Sequence, residues 1–352
     1  MSPKSFAILL LATVASVALA IGAIAHRDLP VQAAAANQPM FPTLLDRLNE
    51  VGRIQLTTPS GKLTLQAGDR GWTLVEKSNY PVPADEVRKL ALAVAGLQLV
   101  EARTADPSRL KRLELEDPTG EGFTSKEVEL LGKDGASLAA VVVGKSSPGL
   151  YGGGRGGIYV RRAGESQAWL AAGELEVPGD ALALLGHDVI DVPAAEVARV
   201  ILDQGGPAQV ALARPDAKAT EFTTAAALPD GRKLDPVKVE ELTGSLGGLR
   251  MEDVRPVAEV ALPADARHSR FETFDGLAVD VTVANVGEGD AAERWATFAV
   301  SSTSAPGNDA AVKRAEALSG KLQGWTFRLQ PFLADQLAGS LDKLLADPEP
   351  AS

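Results

Sequence analysis

The sequence predicts an α+β protein made of two similar modules, each a mainly antiparallel sheet with packed helices, behind an N-terminal transmembrane helix. The modules are indicated by an internal repeat, in which Val51-Gly52-Arg53-Ile54-Gln55-Leu56 returns as Val197-Ala198-Arg199-Val200-Ile201-Leu202. Each copy continues through strand-like segments to a helix that begins at an acidic residue near a proline, and each later contains a tryptophan, Trp169 or Trp325. The offset is 146 residues at the first motif (197 − 51) and 156 at the tryptophans (325 − 169), a drift that loop insertions produce.

The N-terminal segment from Phe6 to Ala25 is uncharged and predominantly apolar, and it follows Lys4. Its 20 residues, at 1.5 Å each, match the hydrocarbon core of a bilayer, which is roughly 30 Å thick. Lys4 favours a cytoplasmic N-terminus, so we expect a single-pass anchor in a bacterial inner membrane with the modules in the periplasm. The alternative is a cleaved signal and a secreted protein, because Ala23-Ile24-Ala25 has the form of a cleavage site.

The domain layout follows from the anchor, the repeat and the composition of the connecting segments. We expect residues 1–26 to form the anchor or signal, 27–40 a linker, 41–190 module one, 191–346 module two and 347–352 a disordered tail.

Composition excludes several classes of function. The chain has 352 residues and a formal net charge of −11, and an acidic surface repels phosphate backbones, so no nucleic-acid partner is expected. The absence of cysteine excludes disulfides, thiolate metal sites and cysteine nucleophiles. The charged and hydrophobic fractions, 23% and 45%, are those of a folded globular protein.

Module one begins with a short amphipathic helix at 41–51, because its apolar residues recur at helical spacing. Loosely alternating segments separated by turns then predict antiparallel strands at 53–57, 62–66, 72–76, 127–131, 139–143, 158–161 and 168–171. A helix is predicted at 85–99, with Val87, Leu90, Ala91, Val94 and Leu97 on its buried face. Residues 101–118 are expected to form a short helix and turn over the sheet, and 178–185 another short helix.

Module two follows the same plan. Its strands are predicted at 199–202, 209–213, 221–224, 271–273, 278–283, 294–300 and 325–329. Its helices are predicted at 235–249, 309–318 and 332–345, the last with Leu333, Leu337, Leu341 and Leu344 in the core.

Several short motifs resemble those of the bacterial DUF4340 family. They are Phe41-Pro42-x-Leu44-Leu45, Val51-x-Arg53-Ile54, Trp72-x-Leu74, Tyr80-Pro81, Thr104-Ala105-Asp106-Pro107, Leu115-Glu116-Asp117-Pro118, Val143-Gly144-Lys145 and Tyr159-Val160-Arg161. The resemblance covers most of residues 1–345 and is strongest over 41–200. The family has no assigned activity, so the resemblance assigns no functional residues. Its members often accompany gliding-motility-type ABC transporter components, which implies an auxiliary role in the cell envelope.

Motifs for nucleotide binding and hydrolysis are incomplete. Gly144-Lys145-Ser146 resembles the end of a phosphate-binding loop, but position 139 is alanine where the motif needs glycine. The histidines, His26, His187 and His268, are far apart and lie outside metal-spacing motifs. His187-Asp188 lies at the joint between modules, where a capping or hinge role is favoured over acid–base chemistry. We therefore predict no catalytic, cofactor-binding or metal-binding residues.

The glycine-rich stretch at 149–157 is the most unusual local feature. Its simplest interpretation is a flexible hairpin loop, because glycine lowers conformational order. The functional hypothesis is a partner-contact loop in which Tyr151 and Arg155 are the anchors, since these residue types dominate interface hot spots.

These observations favour a non-catalytic, membrane-anchored periplasmic accessory or scaffold protein, with ABC transporter subunits as possible partners. The first alternative is a periplasmic protein that binds a small molecule or glycan between the two modules, near residues 187–191. A second alternative is an unrecognised hydrolase, which would need a buried carboxylate or histidine with a strongly shifted pKa in a cleft.

Overall fold

The computed structural model describes residues 38–119, 122–147, 157–203, 205–206, 208–229, 232–289, 292–303 and 309–346. The predicted membrane helix, most of the predicted linker and the predicted tail lie outside these residues. No helix within the described ranges is long and apolar enough to cross a membrane.

The first sheet contains ten strands. They are β1 (Gln38–Pro39), β2 (Val51–Thr58), β3 (Gly61–Gly68), β4 (Gly71–Leu74), β5 (Tyr80–Val82), β6 (Gln98–Ala102), β7 (Lys126–Gly132), β8 (Ser137–Ser147), β9 (Gly157–Arg162) and β10 (Ala168–Ala172). Their order across the sheet is β1-β6-β10-β9-β8-β7-β2-β3-β4-β5.

The second sheet contains nine strands. They are β11 (Asp188–Ile190), β12 (Val197–Leu202), β13 (Val210–Ala213), β14 (Thr223–Thr224), β15 (Leu249–Pro256), β16 (Arg267–Thr273), β17 (Leu277–Val286), β18 (Glu293–Ser302) and β19 (Trp325–Leu329). Their order is β11-β15-β19-β18-β17-β16-β12-β13-β14.

The two sheets have the same topology. When β5 is set aside, each strand of the first sheet has a counterpart at the same place in both the chain order and the sheet order of the second. Two antiparallel sheets accompanied by helices confirm the predicted α+β class and its two sheet modules.

The predicted repeat is matched in backbone detail. β2 carries a bulge between Val51 and Arg53 where it pairs with β7, and β12 carries the same bulge between Val197 and Arg199 where it pairs with β16. A bulge kinks a strand at one defined residue, so a shared bulge aligns the two copies without ambiguity. The 146-residue offset of the first motif is thereby confirmed.

The tryptophans are displaced by two residues from the predicted match. A second pair of shared bulges lies where β6 pairs with β10 and where β15 pairs with β19. Counting from these bulges, Trp169, opposite Ala102, is equivalent to Phe327, opposite Val254. Trp325 lies two residues earlier in its strand and faces Pro256. The sequence comparison paired Trp169 with Trp325 because both are tryptophans. The strand pairing shows instead that Phe327 occupies the position equivalent to Trp169.

Most helices are shorter than predicted, whereas the helix predicted at 309–318 extends to Leu322. They are α1 (Ala84–Ala95), α2 (Pro107–Leu110), α3 (Ala181–Leu185), α4 (Pro236–Gly244), α5 (Asp309–Leu322), α6 (Pro331–Leu337) and α7 (Leu341–Leu344). The predicted helix at 41–51 is a 3-10 helix at Leu45–Glu50, and the predicted C-terminal helix is divided into α6 and α7 around Gly339.

Two of the five strands that were not predicted, β6 and β15, follow a helix without a change in apolar character. α1 ends before Gly96, and Leu97 and Leu99, both buried, belong to the connection and to β6. α4 ends at Gly244, and Leu249 begins β15. Glycine is a weak helix former and a common helix terminator, so Gly96 was the available signal in module one.

The chain forms two compact units, one of residues 38–73 with 83–180 and one of Leu74–Val82 with 181–346. The first has a core of sheet residues that includes Ile54, Leu65 and Val128, all fully buried. The core of the second includes Phe271 and Phe327, also fully buried.

Candidate functional site

A surface loop at residues 103–119 is the principal elaboration of the first unit. It connects β6 toward β7 and contains α2 and a 3-10 helix at Lys111–Leu113. Leu110 and Leu115 of this loop form a small hydrophobic cluster with Val142 and Ala168 of the sheet. Burial of these side chains seats the loop on strands β8 and β10.

Arg161 on β9 holds the end of the surface loop. Its guanidinium group is buried and donates hydrogen bonds to the carbonyls of Leu115 at 2.9 Å and Glu165 at 2.8 Å. Its Nη2 donates to Asp117 Oδ1 at 2.6 Å. A buried guanidinium needs such partners, and here the fork of donors binds two main-chain oxygens and one carboxylate. Two motifs of the family resemblance, those at 115–118 and 159–161, therefore meet in one contact.

Gly144 on β8 allows the surface loop to approach the sheet. A Cβ atom at this position would lie 2.1 Å from the carbonyl oxygen of Leu113, closer than any real contact. Gly144, Lys145 and Ser146 all lie within β8. The segment therefore lacks the helix N-terminus on which phosphate binding depends.

Acidic side chains close the turns of the surface loop. Asp106 caps α2 by accepting a hydrogen bond from the backbone N–H of Ser108 at 3.0 Å. Glu116 accepts two from Thr124, one from its N–H and one from its hydroxyl. Burial acts to raise the pKa of Glu116, but the hydrogen bonds from Thr124 and from the backbone of Glu116 itself, with the charge of Lys111, together lower it. Glu116 is thus kept ionised as an acceptor for the turn.

Among the described carboxylates, Glu127 on β7 is the one whose pKa is raised. Burial raises the pKa of Glu127, and the nearby charge of Glu129 adds to that effect. The charge of Arg161 acts in the opposite direction.

The predicted partner contacts, Tyr151 and Arg155, lie outside the described residues. The hairpin that carries them is described at its base, where Ser147 of β8 pairs with Gly157 of β9.

Two of the three histidines lie within the described residues, and they are not brought together. The carbonyl of His187 accepts the N–H of Met251 at 2.7 Å, which places it beside β15. Asp188 begins strand β11, and its carbonyl accepts a hydrogen bond from Lys321 Nζ at 2.6 Å. His268 is on β16, where Nδ1 lies 3.0 Å from Thr282 Oγ1. Among the described residues no group of three or more histidine, aspartate or glutamate side chains is arranged to hold a metal ion.

The second unit contains a charged cluster that sequence reasoning missed. The guanidinium of Arg255 lies 5.2 Å from the ring centroid of the buried Trp295, and Trp295 Nε1 donates to Glu293 at 3.0 Å. Arg328 donates to the same carboxylate at 2.6 Å, and this hydrogen bond is the largest contribution to the lowered pKa of Glu293. Arg255, Arg328 and the Glu293–Trp295 pair lie on three neighbouring strands but far apart in sequence, so spacing alone could not associate them.

A surface depression in the second unit has a volume of about 820 Å³ and is lined in part by Arg214, Phe222 and Glu240. Arg214 lies 5.2 Å from the ring centroids of both Phe222 and Phe274. Its guanidinium donates to the carbonyls of Val197, Ala194, Ala195 and Ala219. Because its guanidinium donors are engaged by backbone carbonyls, Arg214 holds the backbone in place at the start of β12.

Comparison with protein-family models finds a match to "Domain of unknown function (DUF4340)" over residues 72–272. The match covers 201 of the 352 residues (272 − 72 + 1), from β4 to β16. No curated protein matches the chain. No solved structure matches it either.

Proposed function

The chain belongs to the DUF4340 family, and from that premise we propose that it is a non-catalytic accessory protein of the bacterial cell envelope. In this proposal residues 6–25 anchor it in the inner membrane and both modules are periplasmic. The modules bind protein partners, among which subunits of an ABC-type transport system are the first candidates because of the family resemblance.

The observation that carries the proposal is the duplication of one sheet module with the same strand order and the same bulges. Two binding modules on one chain act together, because binding through the first raises the effective concentration of the second at its partner. Such an arrangement suits a protein that holds components of an assembly together.

The proposed contacts in the first unit are Tyr151 and Arg155. Strands β8 and β9 pair as far as Ser147 and Gly157, with one register shift between Val143 and Ser146, so residues 148–156 connect two paired strands. Loops on rigid sheets often carry binding residues, and tyrosine and arginine contribute strongly at interfaces.

The test is crosslinking in cells of the native species, with the full chain tagged at its C-terminus and recovered from the membrane fraction. We expect ABC permease or ATPase subunits among the crosslinked proteins. The double substitution Tyr151→Ser with Arg155→Ser should reduce their recovery by about tenfold, as expected for the loss of hot-spot residues.

The matched control is Phe332→Ser with Arg109→Ser, which removes an exposed aromatic side chain and an exposed arginine from other surfaces. Equal loss of partners in both double variants would contradict the proposed contact. A chain recovered as a soluble, cleaved protein without transport subunits would contradict the accessory role itself.

A further inference from the structure

The segment Leu74–Val82, called the latch below, is part of the second unit although 98 residues (83–180) separate it from the rest of that unit. It contains a 3-10 helix at Val75–Lys77 and ends in β5. Leu74 and Val82, at its two ends, are buried.

Polar contacts of the latch are made with two carboxylates of the second unit. Lys77 Nζ lies 2.5 Å from Asp253 Oδ1, and the Asp253 side chain is only 10% exposed. Ser78 Oγ donates to Glu259 Oε1 at 2.9 Å. Asp253 also accepts from the N–H of Val254 at 2.8 Å, and Arg255 Nε lies 3.4 Å from its other oxygen. The buried carboxylate is thus positioned to receive a cation from outside its own strand.

The apolar contact of the latch is made by Tyr80. Its ring meets Trp325 edge-on with the centroids 4.8 Å apart, and Phe327 is 6.3 Å away. The ring is buried, but the hydroxyl has no hydrogen-bond partner among the described residues. The second unit therefore binds two latch side chains that are three residues apart. Asp253 binds the cation of Lys77, and Trp325 with Phe327 packs against the ring of Tyr80.

The backbone of the latch is held in an unfavourable conformation. Ser78 and Asn79 have φ values of 52° and 63°, in the left-handed region. Left-handed backbone costs a non-glycine residue on the order of 1 kcal/mol, less for asparagine, so docking contacts must offset it. The buried, unpaired hydroxyl of Tyr80 adds a further cost.

We propose that the latch is a displaceable segment docked on an acceptor groove, and that the groove binds an extended protein segment with a lysine or arginine three residues before an aromatic residue. Asp253 receives the cation, Glu259 a hydroxyl donor, and Trp325 with Phe327 the aromatic ring. A competing segment that reaches these groups without left-handed backbone displaces the latch. The proposed groove uses neither Tyr151 nor Arg155, so it does not rest on the role proposed for them.

The test uses the full chain and a fluorescent peptide with the sequence of residues 75–82. Lys77→Ala with Tyr80→Ala weakens the internal latch, and the peptide should then bind at least about tenfold more tightly than to the unaltered chain, because the groove is free for a larger fraction of the time. Adding Asp253→Ala to that variant should abolish binding. A peptide with glutamate and alanine in place of its lysine and tyrosine is the matched control.

Absence of peptide binding to a weakened-latch variant that still unfolds cooperatively would overturn the proposal, as would equal binding of the control peptide. If the double variant does not fold, Lys77→Ala alone is used in the same way. Hydrogen exchange of the unaltered chain gives an independent reading, because the latch amides should exchange faster than those of β19. Equal protection of the latch and β19 would show that the latch is not displaceable.

Discussion

At the scale of single residues, two arginines hold backbone segments in place. Arg161 binds the carbonyls of Leu115 and Glu165, and Arg214 binds four carbonyls around the start of β12. A guanidinium group presents several donors in a fixed plane, which suits a loop whose carbonyls point to one place. Both arginines look like ordinary surface residues in the sequence, because their partners are distant in the chain or belong to the backbone.

Replacing Arg161 by methionine tests this role. Arg161→Met leaves the buried carbonyl acceptors unsatisfied, and we expect the free energy of unfolding to fall by about 2–4 kcal/mol. Urea unfolding, monitored by circular dichroism, measures this change in the free energy of unfolding. Asp117→Asn changes the exposed partner of the same arginine and should have a much smaller effect. Equal effects of the two substitutions would mean that the ion pair, and not the carbonyl contacts, stabilises the loop.

Tyr80 is a second residue whose burial has a measurable consequence. Burial raises the pKa of Tyr80 to about 12 from the ordinary value of 10.0. The unfolded chain therefore loses this proton at lower pH than the folded chain does. The stability linked to the neutral phenol is fully present below pH 10 and is lost as the pH rises from 10 toward 12.

Tyr80→Phe should remove this alkaline dependence. We expect the variant to be at least as stable as the unaltered chain at pH 7, because the hydroxyl makes no hydrogen bond to any described residue. Between pH 10 and 12 the unaltered chain should lose up to about 2–3 kcal/mol more than the variant, from 1.36 kcal/mol per pKa unit. Thermal unfolding over this range is the measurement, and parallel pH profiles would contradict the prediction.

At the scale of elements, glycine determines both where helices end and how closely segments approach. Gly96 directly follows α1, and Gly144 lets the surface loop meet β8. The alternation of the strands and the buried stripe of α1 were predictable from the sequence, because the spacing at which apolar side chains recur follows from the local backbone conformation. The strands after α1 and α4 were not, because their apolar residues continue the helical pattern until tertiary contacts select another backbone.

The two glycines Gly144 and Gly320 should respond to alanine in opposite directions. Gly144→Ala places a methyl group against a backbone carbonyl, and we expect a loss of about 2–4 kcal/mol, as for other overpacked sites. Gly320 lies in α5, where an added methyl group would meet no described atom within 4 Å beyond its chain neighbours and the adjacent helix backbone, so Gly320→Ala should stabilise the chain by about 0.5 kcal/mol. The measurement is the denaturation midpoint of each variant relative to the unaltered chain. A Gly144→Ala variant as stable as the unaltered chain would contradict the close approach of the Leu113 carbonyl to Gly144.

At the scale of the whole molecule, the chain is built from one topology used twice and then varied by insertion. The first unit carries its elaboration between β6 and β7, whereas the second inserts α5 between β18 and β19. These insertions lie in connections, which tolerate insertion better than the strands they join. The family match from β4 to β16 includes parts of both copies, so the family resemblance is to more than a single module.

The sequence by itself determined the fold class, the duplication and the first-motif alignment, because alternation and repetition are local properties of the chain. It also singled out the motifs at 115–118, 143–145 and 159–161. Only the tertiary structure decided that these motifs meet at Arg161 and Gly144, and that Leu74–Val82 belongs to the second unit. Contacts between distant residues depend on which strands become neighbours, and strand order is set by the packing of the whole sheet.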